Sequence, residues 1–256
     1  MEEFDELIPH PDTGGVLDLS HRAWVQLDSV VWTMKQELVV LNVSFNSIEY
    51  LPPELGDLVL LKELDISCNK LEALPPEIGK CTRLLKLKAN GNYIAEIPGE
   101  LGDCHLLEEV ILSENKLQEV PVSLAGLQAL RILRLQNNKL LSLPYELGYV
   151  LTIAELDVSG NKELDLVPEK LRGDTEMVKW ICKLHKDHRD DTQMLEKLND
   201  ILEAQAQKIE ETKLRLKEDM QKLEDQKRAL LKERPGAYLA IKSQATVVVS
   251  KACAIS

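Results

Sequence analysis

The last four residues of the chain carry the clearest signal for chemistry at a single atom. Cys253, two aliphatic residues and the final Ser256 match the prenylation box, in which the cysteine thiol forms a thioether with a farnesyl group. The alternative is that these residues extend an apolar strand made by residues 245–249. Lys242 and Lys251 are too few to form a polybasic second signal. We therefore expect weak membrane association, and only if Cys253 is prenylated.

A second group of residues has side chains that could hold a metal ion. Cys182, His185 and His188 are spaced three residues apart, and thiolate and imidazole are ligands of zinc. On a helix, however, this spacing distributes the side chains around the surface instead of converging them on one point. The sequence also contains no phosphate-binding glycine loop, nucleophile elbow or kinase signature. We expect no metal, no cofactor and no catalytic residues, and hence a protein that is not an enzyme.

The first two thirds of the chain contain a strictly periodic asparagine. Two apolar residues precede each copy by five and three positions, and each repeat closes with an apolar residue followed by proline. A fixed period of this length is typical of a solenoid, in which every repeat packs on its neighbours. We expect the asparagine amides to satisfy backbone groups of the turns and so to form a ladder. The asparagines are separated by 23 residues: Asn46, Asn69, Asn92, Asn115, Asn138 and Asn161.

The residues around each asparagine predict two kinds of local structure. Alternation such as Leu64-Asp65-Ile66 predicts a short strand with its apolar residues inside. On the return path apolar residues recur every third position, as at Leu55, Leu58 and Leu61, which favours a helical or 3₁₀ segment. The stacked strands predict an α/β solenoid with a parallel concave sheet. Cys81 and Cys104 occupy the three-spaced positions and are expected in the core.

The outward strand positions are the candidate partner-binding residues, because stacking turns them into columns on the concave face. Two isoleucines stand at positions that a merely soluble surface would make polar, which favours a binding footprint for a protein over a merely solvated surface. A solvated surface of mixed charge is the alternative. The candidate residues are Glu63, Lys86, Glu109, Ile132 and Glu155 in one column, and Asp65, Lys88, Ile111, Arg134 and Asp157 in the next.

Two stretches of the repeats carry a family resemblance. Residues 51–58, reading Leu-Pro-Pro-Glu-Leu-Gly-Asp-Leu, and residues 64–71, reading Leu-Asp-Ile-Ser-Cys-Asn-Lys-Leu, resemble the Ras-group class of intracellular leucine-rich repeats. That class includes Scribble-like, Ras-suppressor-like and plant intracellular Ras-group proteins. The resemblance covers residues 14–172 and implies a leucine-rich repeat solenoid with a binding role and no shared catalytic site. The stretch Gly15 to Leu27 is similar to a degenerate first repeat, with Arg22 in place of the asparagine.

Beyond the repeats the sequence predicts a long helix. Gly173 ends the last repeat and Asp174 is a candidate N-cap. Apolar residues 177–184, among them Trp180, are expected to close the end of the solenoid as its core-facing cap. Further on, a strict seven-residue stripe comprises Leu195, Leu202, Ile209, Leu216, Leu223 and Leu230. The second apolar position that a coiled coil requires is mostly polar, so we expect the helix to pair weakly with itself or to dock on another protein.

Composition excludes several classes of function. The chain has a formal net charge of -12, which argues against a nucleic-acid partner. Five cysteines and a first stretch without a signal peptide favour free thiols in the cytoplasm.

Five segments follow from these patterns: an N-terminal segment (1–13), the solenoid (14–172), a helical cap (173–189), the heptad-patterned helix (190–234) and a tail (235–256). The expected function is a non-catalytic adaptor or scaffold that binds a protein partner, with small-GTPase signalling as one setting. The alternative is a structural subunit of a large cytoskeletal or ciliary assembly, which would make the location cytoskeletal or ciliary.

Overall fold

The computed structural model describes residues 8–187 and 192–233, and the chain divides into two compact units between residues 190 and 191. Within the first unit, short strands form one parallel, open sheet in sequential order. This arrangement is the predicted leucine-rich repeat solenoid. The described strands are β1 (Val16–Asp18), β2 (Val40–Asn42), β3 (Glu63–Asp65), β4 (Lys86–Lys88), β5 (Glu109–Ile111), β6 (Ile132–Arg134) and β7 (Glu155–Asp157).

A 3₁₀ turn follows each strand on the return path, where the apolar residues recur every third position. Proline precedes all but the first of these turns and sets the extended backbone from which the turn begins. The turns span Ser29–Thr33, Pro53–Asp57, Pro76–Lys80, Gly99–Asp103, Val122–Gly126, Tyr145–Tyr149 and Glu169–Leu171.

The predicted asparagine ladder is confirmed by the hydrogen bonds. Asn92 Nδ2 donates to the carbonyl oxygens of Ile66 and Ala89 at 3.0 and 3.1 Å, and its Oδ1 accepts from the Leu71 N–H at 3.0 Å. The Ile66 carbonyl also accepts from Asn69, one repeat earlier. Each amide therefore joins two repeats, and the buried turns have the polar partners that burial requires.

The residue before each ladder asparagine has a left-handed backbone. Glycine fills this position at Gly91 and Gly160, where φ is 68° and 72°, but Phe45, Cys68 and Glu114 adopt the same conformation. For a side-chain-bearing residue this conformation costs roughly 1 to 2 kcal/mol. The ladder bonds on either side hold the chain in it.

A column of glycines lets neighbouring 3₁₀ turns approach closely. A Cβ added at Gly79 would lie 2.5 Å from the Glu100 carbonyl oxygen, and one at Gly56 would lie 2.7 Å from that of Glu77. Ala125 occupies the equivalent position one turn before Gly148. It is half-buried, whereas the glycines at Gly56, Gly79 and Gly148 are buried.

The first strand belongs to the degenerate repeat. β1 pairs in parallel with β2, and its Val16 aligns with Val40. Arg22 stands where the asparagine is missing, and its backbone N–H donates to Asn46 Oδ1 at 3.0 Å. The degenerate repeat therefore bonds to the ladder asparagine of the next repeat in place of one of its own, which suits a repeat at the end of the described sheet.

Helix α1 (Thr175–Asp187) covers the last strand and the last five-residue 3₁₀ turn of the first unit. Asp174 caps it, since its carboxylate accepts from the Met177 N–H at 3.1 Å. Thr175 Oγ1 accepts from the Leu156 N–H of β7 at 2.8 Å. A sheet edge that would otherwise offer unpaired groups is therefore partly satisfied.

The expectation that Trp180 lies in the core is wrong. Its side chain is 39% exposed, while Val178, Ile181 and Cys182 are buried. Lys179 is also buried, at 6% exposure, and its Nζ donates to the Ile153 carbonyl at 3.3 Å. Val178 and Ile181 of the expected cap are therefore buried as predicted, and Lys179 and Cys182 complete the buried face of α1 in place of Trp180.

The second unit contains helix α2 (Thr192–Glu233), which has 42 residues. At about 1.5 Å per residue it is about 63 Å long.

Candidate partner-binding face

Each strand has a buried central residue, and the two residues that flank it are half-buried in β2 to β7 and exposed in β1. Leu64 of β3 points into the core, for example, while Glu63 and Asp65 face outward. This follows from the alternation of side chains along a strand. We call the outward side of β1 to β7 the concave face.

The strand register places all ten candidate residues on this face in the predicted columns. The first column runs Val16, Val40, Glu63, Lys86, Glu109, Ile132 and Glu155; the second runs Asp18, Asn42, Asp65, Lys88, Ile111, Arg134 and Asp157. All ten candidates are half-buried. The two isoleucines are therefore partly covered, and their exposed parts are small.

Two ion pairs order the long side chains of the concave face. Lys86 Nζ lies 3.2 Å from Glu63 Oε1. Arg134 binds Glu155 with two nitrogens, Nε at 2.6 Å from Oε1 and one terminal nitrogen at 3.2 Å from Oε2. The hydrogen bond to Glu155 raises the pKa of the Arg134 guanidinium. Half-exposed pairs of this kind add little stability, so their main effect is to fix side-chain geometry.

The acidic residues of the second column accept hydrogen bonds from backbone N–H groups of the turns that follow their strands. One carboxylate oxygen of Asp65 accepts from the Ser67 N–H at 3.0 Å, and Asp157 binds the Ser159 N–H at 2.9 Å. The same bond at Ser20 is the main reason why the pKa of Asp18 is lowered. One oxygen of each carboxylate therefore accepts a hydrogen bond from the turn that follows its strand.

A shallow depression lies on the concave face over β2, β3 and β4. Its volume is about 180 Å³, which suits one or two side chains. Asp65 and Glu63 supply its negative charge, and Lys86 and Lys88 its positive charge. A second depression of about 360 Å³ lies away from this face and is lined by Glu96, Glu119 and neighbouring residues.

The sequence interpretation missed a row of lysines at the edge where the strands end. Lysine follows the ladder asparagine directly at Lys70, Lys116, Lys139 and Lys162, and Tyr93 holds this position in the repeat between Lys70 and Lys116. All five side chains are exposed, and Lys116 Nζ lies 4.3 Å from the centre of the Tyr93 ring. The sequence does contain the pattern that would have revealed this row, because lysine recurs at the position directly after the repeated asparagine.

The remaining candidate sites are only partly within the described residues. Cys253 and His188 lie outside them, so their environment is not part of the structure. Cys182 is buried, and burial raises the pKa of its thiol to about 12. In residues 8–187 and 192–233, no group of three His, Cys, Asp or Glu side chains is placed to hold a metal ion. Among the same residues, no helix combines the length and apolar character needed to span a bilayer.

Comparison with known proteins supports the fold. A family model described as Leucine Rich Repeat matches residues 60–81. Among solved structures 295 chains match, so the fold by itself does not single out a function. The leucine-rich repeat domain of the type III effector XopL is 23% identical with a TM-score of 0.54, over 59% of this chain and 53% of that one. No curated protein sequence matches.

Two further structures resemble only parts of the solenoid. The Arabidopsis receptor kinase HAESA, solved with the peptide hormone IDA and the co-receptor SERK1, is 32% identical over 50% of this chain and 22% of that one, with a TM-score of 0.47. A leucine-rich repeat protein of Leptospira interrogans is 22% identical over 60% and 56%, with a TM-score of 0.34. The chain spans less than two thirds of the length of each of these proteins.

The chain therefore contains a leucine-rich repeat solenoid, a fold that generally mediates protein–protein interaction and is typically non-catalytic. No catalytic family matches it.

Proposed function

We propose that the protein is a non-catalytic adaptor whose concave face binds a protein partner. The observation that carries this proposal is the composition of β4, β5 and β6. There Lys88, Ile111 and Ile132 lie between the ordered pairs Lys86–Glu63 and Arg134–Glu155. A small apolar centre surrounded by charged residues is typical of protein–protein interfaces.

The dimensions of the face set the size of the partner's footprint. Adjacent strands lie about 4.8 Å apart, so β1 to β7 extend over about 29 Å. This length accommodates one side of a small domain. The likeness of the repeats to the Ras-group class makes a small GTPase, or another signalling protein, the partner class that we propose.

A pair of matched variants tests the concave face. Lys88→Glu combined with Ile132→Ser changes the centre of the face. Lys80→Glu combined with Leu151→Ser makes the same chemical changes at exposed positions outside both columns, Leu151 being 83% exposed. Partners are identified by proximity labelling with the full chain in cells, and their dissociation constants are then measured with the purified proteins.

We expect the concave variant to lose affinity by at least about tenfold, since about 1.4 kcal/mol of contact energy would be removed. The matched variant should bind as the unmodified chain does. Equal affinities for the two variants, at equal thermal midpoints, would contradict the concave site.

A second candidate function is a structural subunit of a cytoskeletal or ciliary assembly. The length of α2, about 63 Å, favours this alternative because such a helix can contact several neighbours. An assembly subunit should elute from native extracts in one large stoichiometric complex. An adaptor should elute mainly as a small species that exchanges partners.

We further propose a cytoplasmic location with a membrane-associated fraction carried by a prenylated Cys253. The described cysteines Cys68, Cys81, Cys104 and Cys182 form no disulfide, and the general rarity of disulfides in cytosolic proteins makes this a supporting observation for the proposed location. One prenyl chain gives marginal, reversible anchoring, so the protein should divide between membrane and cytosol.

A further inference from the structure

The charges along α2 are arranged around its apolar stripe. With Ile209, Leu216 and Leu223 assigned to heptad position a, these side chains are half-buried along one line of the helix. Residues at positions e and g flank such a stripe and face the partner helix in a coiled coil. They decide which helices can pair.

Every charged residue at these flanking positions is basic between residues 203 and 229. Position g holds Lys208, Arg215 and Lys222, and position e holds Lys213 and Lys227. The other flanking residues in this range are Ala206, Met220 and Ala229. The acidic residues fall mainly on the opposite side of the helix, at Glu203, Glu210, Glu211, Glu218, Glu224 and Asp225.

This arrangement opposes pairing of α2 with a second copy of itself. In a parallel pair each g residue faces an e residue, so Lys208 would meet Lys213. In an antiparallel pair g faces g and e faces e, so basic residues would meet again. Repelling charges that exclude one partner are a common route to specificity.

The stripe that would face a partner helix, formed by positions a and d, also contains an acidic residue. Asp219 occupies position d, where a hydrophobic residue would be expected, and lies 3.5 Å from Lys222. An acidic residue in this stripe fits a polar or basic residue at the facing position. It fixes the register in which another helix can dock.

We propose that α2 docks a second, different helix whose apolar stripe is flanked by glutamate or aspartate. The occupant is chosen by charge complementarity, since acidic flanks would meet Lys208, Lys213, Arg215, Lys222 and Lys227. This surface consists of residues of the second unit, whereas the concave face consists of residues of the first, so the proposal adds a second partner-binding surface to the one proposed above.

Two synthetic helical peptides serve as probes for the full chain. Both have four heptads with leucine at a and d, except for one position, placed to face Asp219, that holds asparagine. One peptide carries glutamate at e and g, and its twin carries lysine. We expect the full chain to bind the acidic probe at least tenfold more tightly than the basic probe in fluorescence anisotropy at low salt. The preference should shrink in 1 M salt, where the screening length falls to about 3 Å.

Matched variants of the full chain separate the docking stripe from the rest of the helix. Arg215→Glu with Lys222→Glu should reverse the preference, whereas Lys217→Glu with Arg228→Glu, the same change in charge away from the stripe, should preserve it. Leu216→Asp should abolish binding of the acidic probe. Leu214→Asp should not, because Leu214 is on the outer side at 59% exposure.

The proposal is overturned by equal binding of the two probes, by no binding of either, or by equal behaviour of the two charge variants. Self-association of the full chain that Leu216→Asp removes would identify a second copy as the occupant and would also overturn it. So would binding to phosphatidylserine vesicles in the absence of binding to the acidic probe. None of these measurements depends on the concave-face partner.

Discussion

Replacing Asn92 by alanine removes one rung of the ladder from the middle of the solenoid. Asn92 is 4% exposed, and its amide makes the two donated bonds and the one accepted bond described above. Alanine can make none of them, and solvent cannot reach the site to replace them.

These three bonds, and a longer one from Nδ2 to the Asn90 carbonyl at 3.4 Å that is lost with them, differ in their consequences. The Ile66 carbonyl keeps the amide of Asn69 at 3.0 Å, and the Ala89 carbonyl keeps that of Asn115 at 2.9 Å. The Leu71 N–H keeps no partner among the described residues. An orphaned buried donor costs about 1 to 3 kcal/mol, and the two shared carbonyl bonds add about 1 kcal/mol together. We expect Asn92→Ala to lower the free energy of unfolding by about 2 to 4 kcal/mol.

The thermal midpoint of the full chain, followed by circular dichroism, measures this loss. At about 2 to 4 °C per kcal/mol for a domain of this size, the midpoint should fall by about 4 to 16 °C. Asn90→Ala is the matched control, because among the described residues the side chain of half-buried Asn90 makes one hydrogen bond, which its Oδ1 accepts from Ser67 Oγ at 2.8 Å. Its midpoint should fall by less than about 3 °C. Equal shifts for the two variants would refute the ladder as the source of the stability.

Three further outcomes follow from the glycine column, the thiols and the terminal cysteine. Gly79→Ala should destabilise the solenoid by about 1 to 3 kcal/mol, because its Cβ would overlap the Glu100 carbonyl; Gly126→Ala, with nothing within 4 Å, should be neutral in the same urea titration. Brief iodoacetamide treatment of the folded chain at pH 8, read by peptide mass spectrometry, should spare the buried thiols and modify half-exposed Cys68 first. Burial raises the pKa of the spared thiols from 9.0 to about 11 for Cys81 and to about 12 for Cys104 and Cys182. The stability that these thiols contribute is therefore complete below pH 9 and is lost as the pH rises towards 12. Early labelling of any of the three would contradict their placement in the core. Intact-mass measurement of protein from its native cells should show a farnesyl group on Cys253 with the last three residues removed, and an unmodified chain ending at Ser256 would remove the proposed anchor.

The columns of the concave face were predictable from sequence because the asparagine period never slips. Once the strands stack in that period, Glu63 must lie beside Lys86, and Lys86 beside Glu109. The pairing within the column was not predictable, since Lys86 has an acidic neighbour on either side. It pairs with Glu63 at 3.2 Å, a choice that depends on side-chain conformation.

The hydrophobic pattern of the sequence could not predict which face of α1 packs on the solenoid. Apolar residues occur at 177, 178, 180, 181 and 184, so several faces of the helix are nearly equivalent in hydrophobicity. Gly148 decides between them, because a Cβ there would lie 2.6 Å from the Lys179 carbonyl oxygen. The backbone of α1 approaches at this point, which buries Lys179 along its aliphatic stem and leaves Trp180 outside.

The division between buried and outward positions explains why a known fold does not identify a partner here. Stacking determines the central apolar residue of each strand, the ladder asparagine and the close-approach glycines, because each of these contacts the next repeat. The outward side chains are not part of that core, so the likeness of the solenoid to a domain that is 23% identical shows the fold and not the binding residues. Under the functions proposed above, partner choice resides in residues such as Lys88, Ile111 and Ile132, together with the basic flanks of α2. Exchanging these outward residues should change binding while the thermal midpoint stays constant, whereas exchanging the asparagines or glycines should lower the midpoint first.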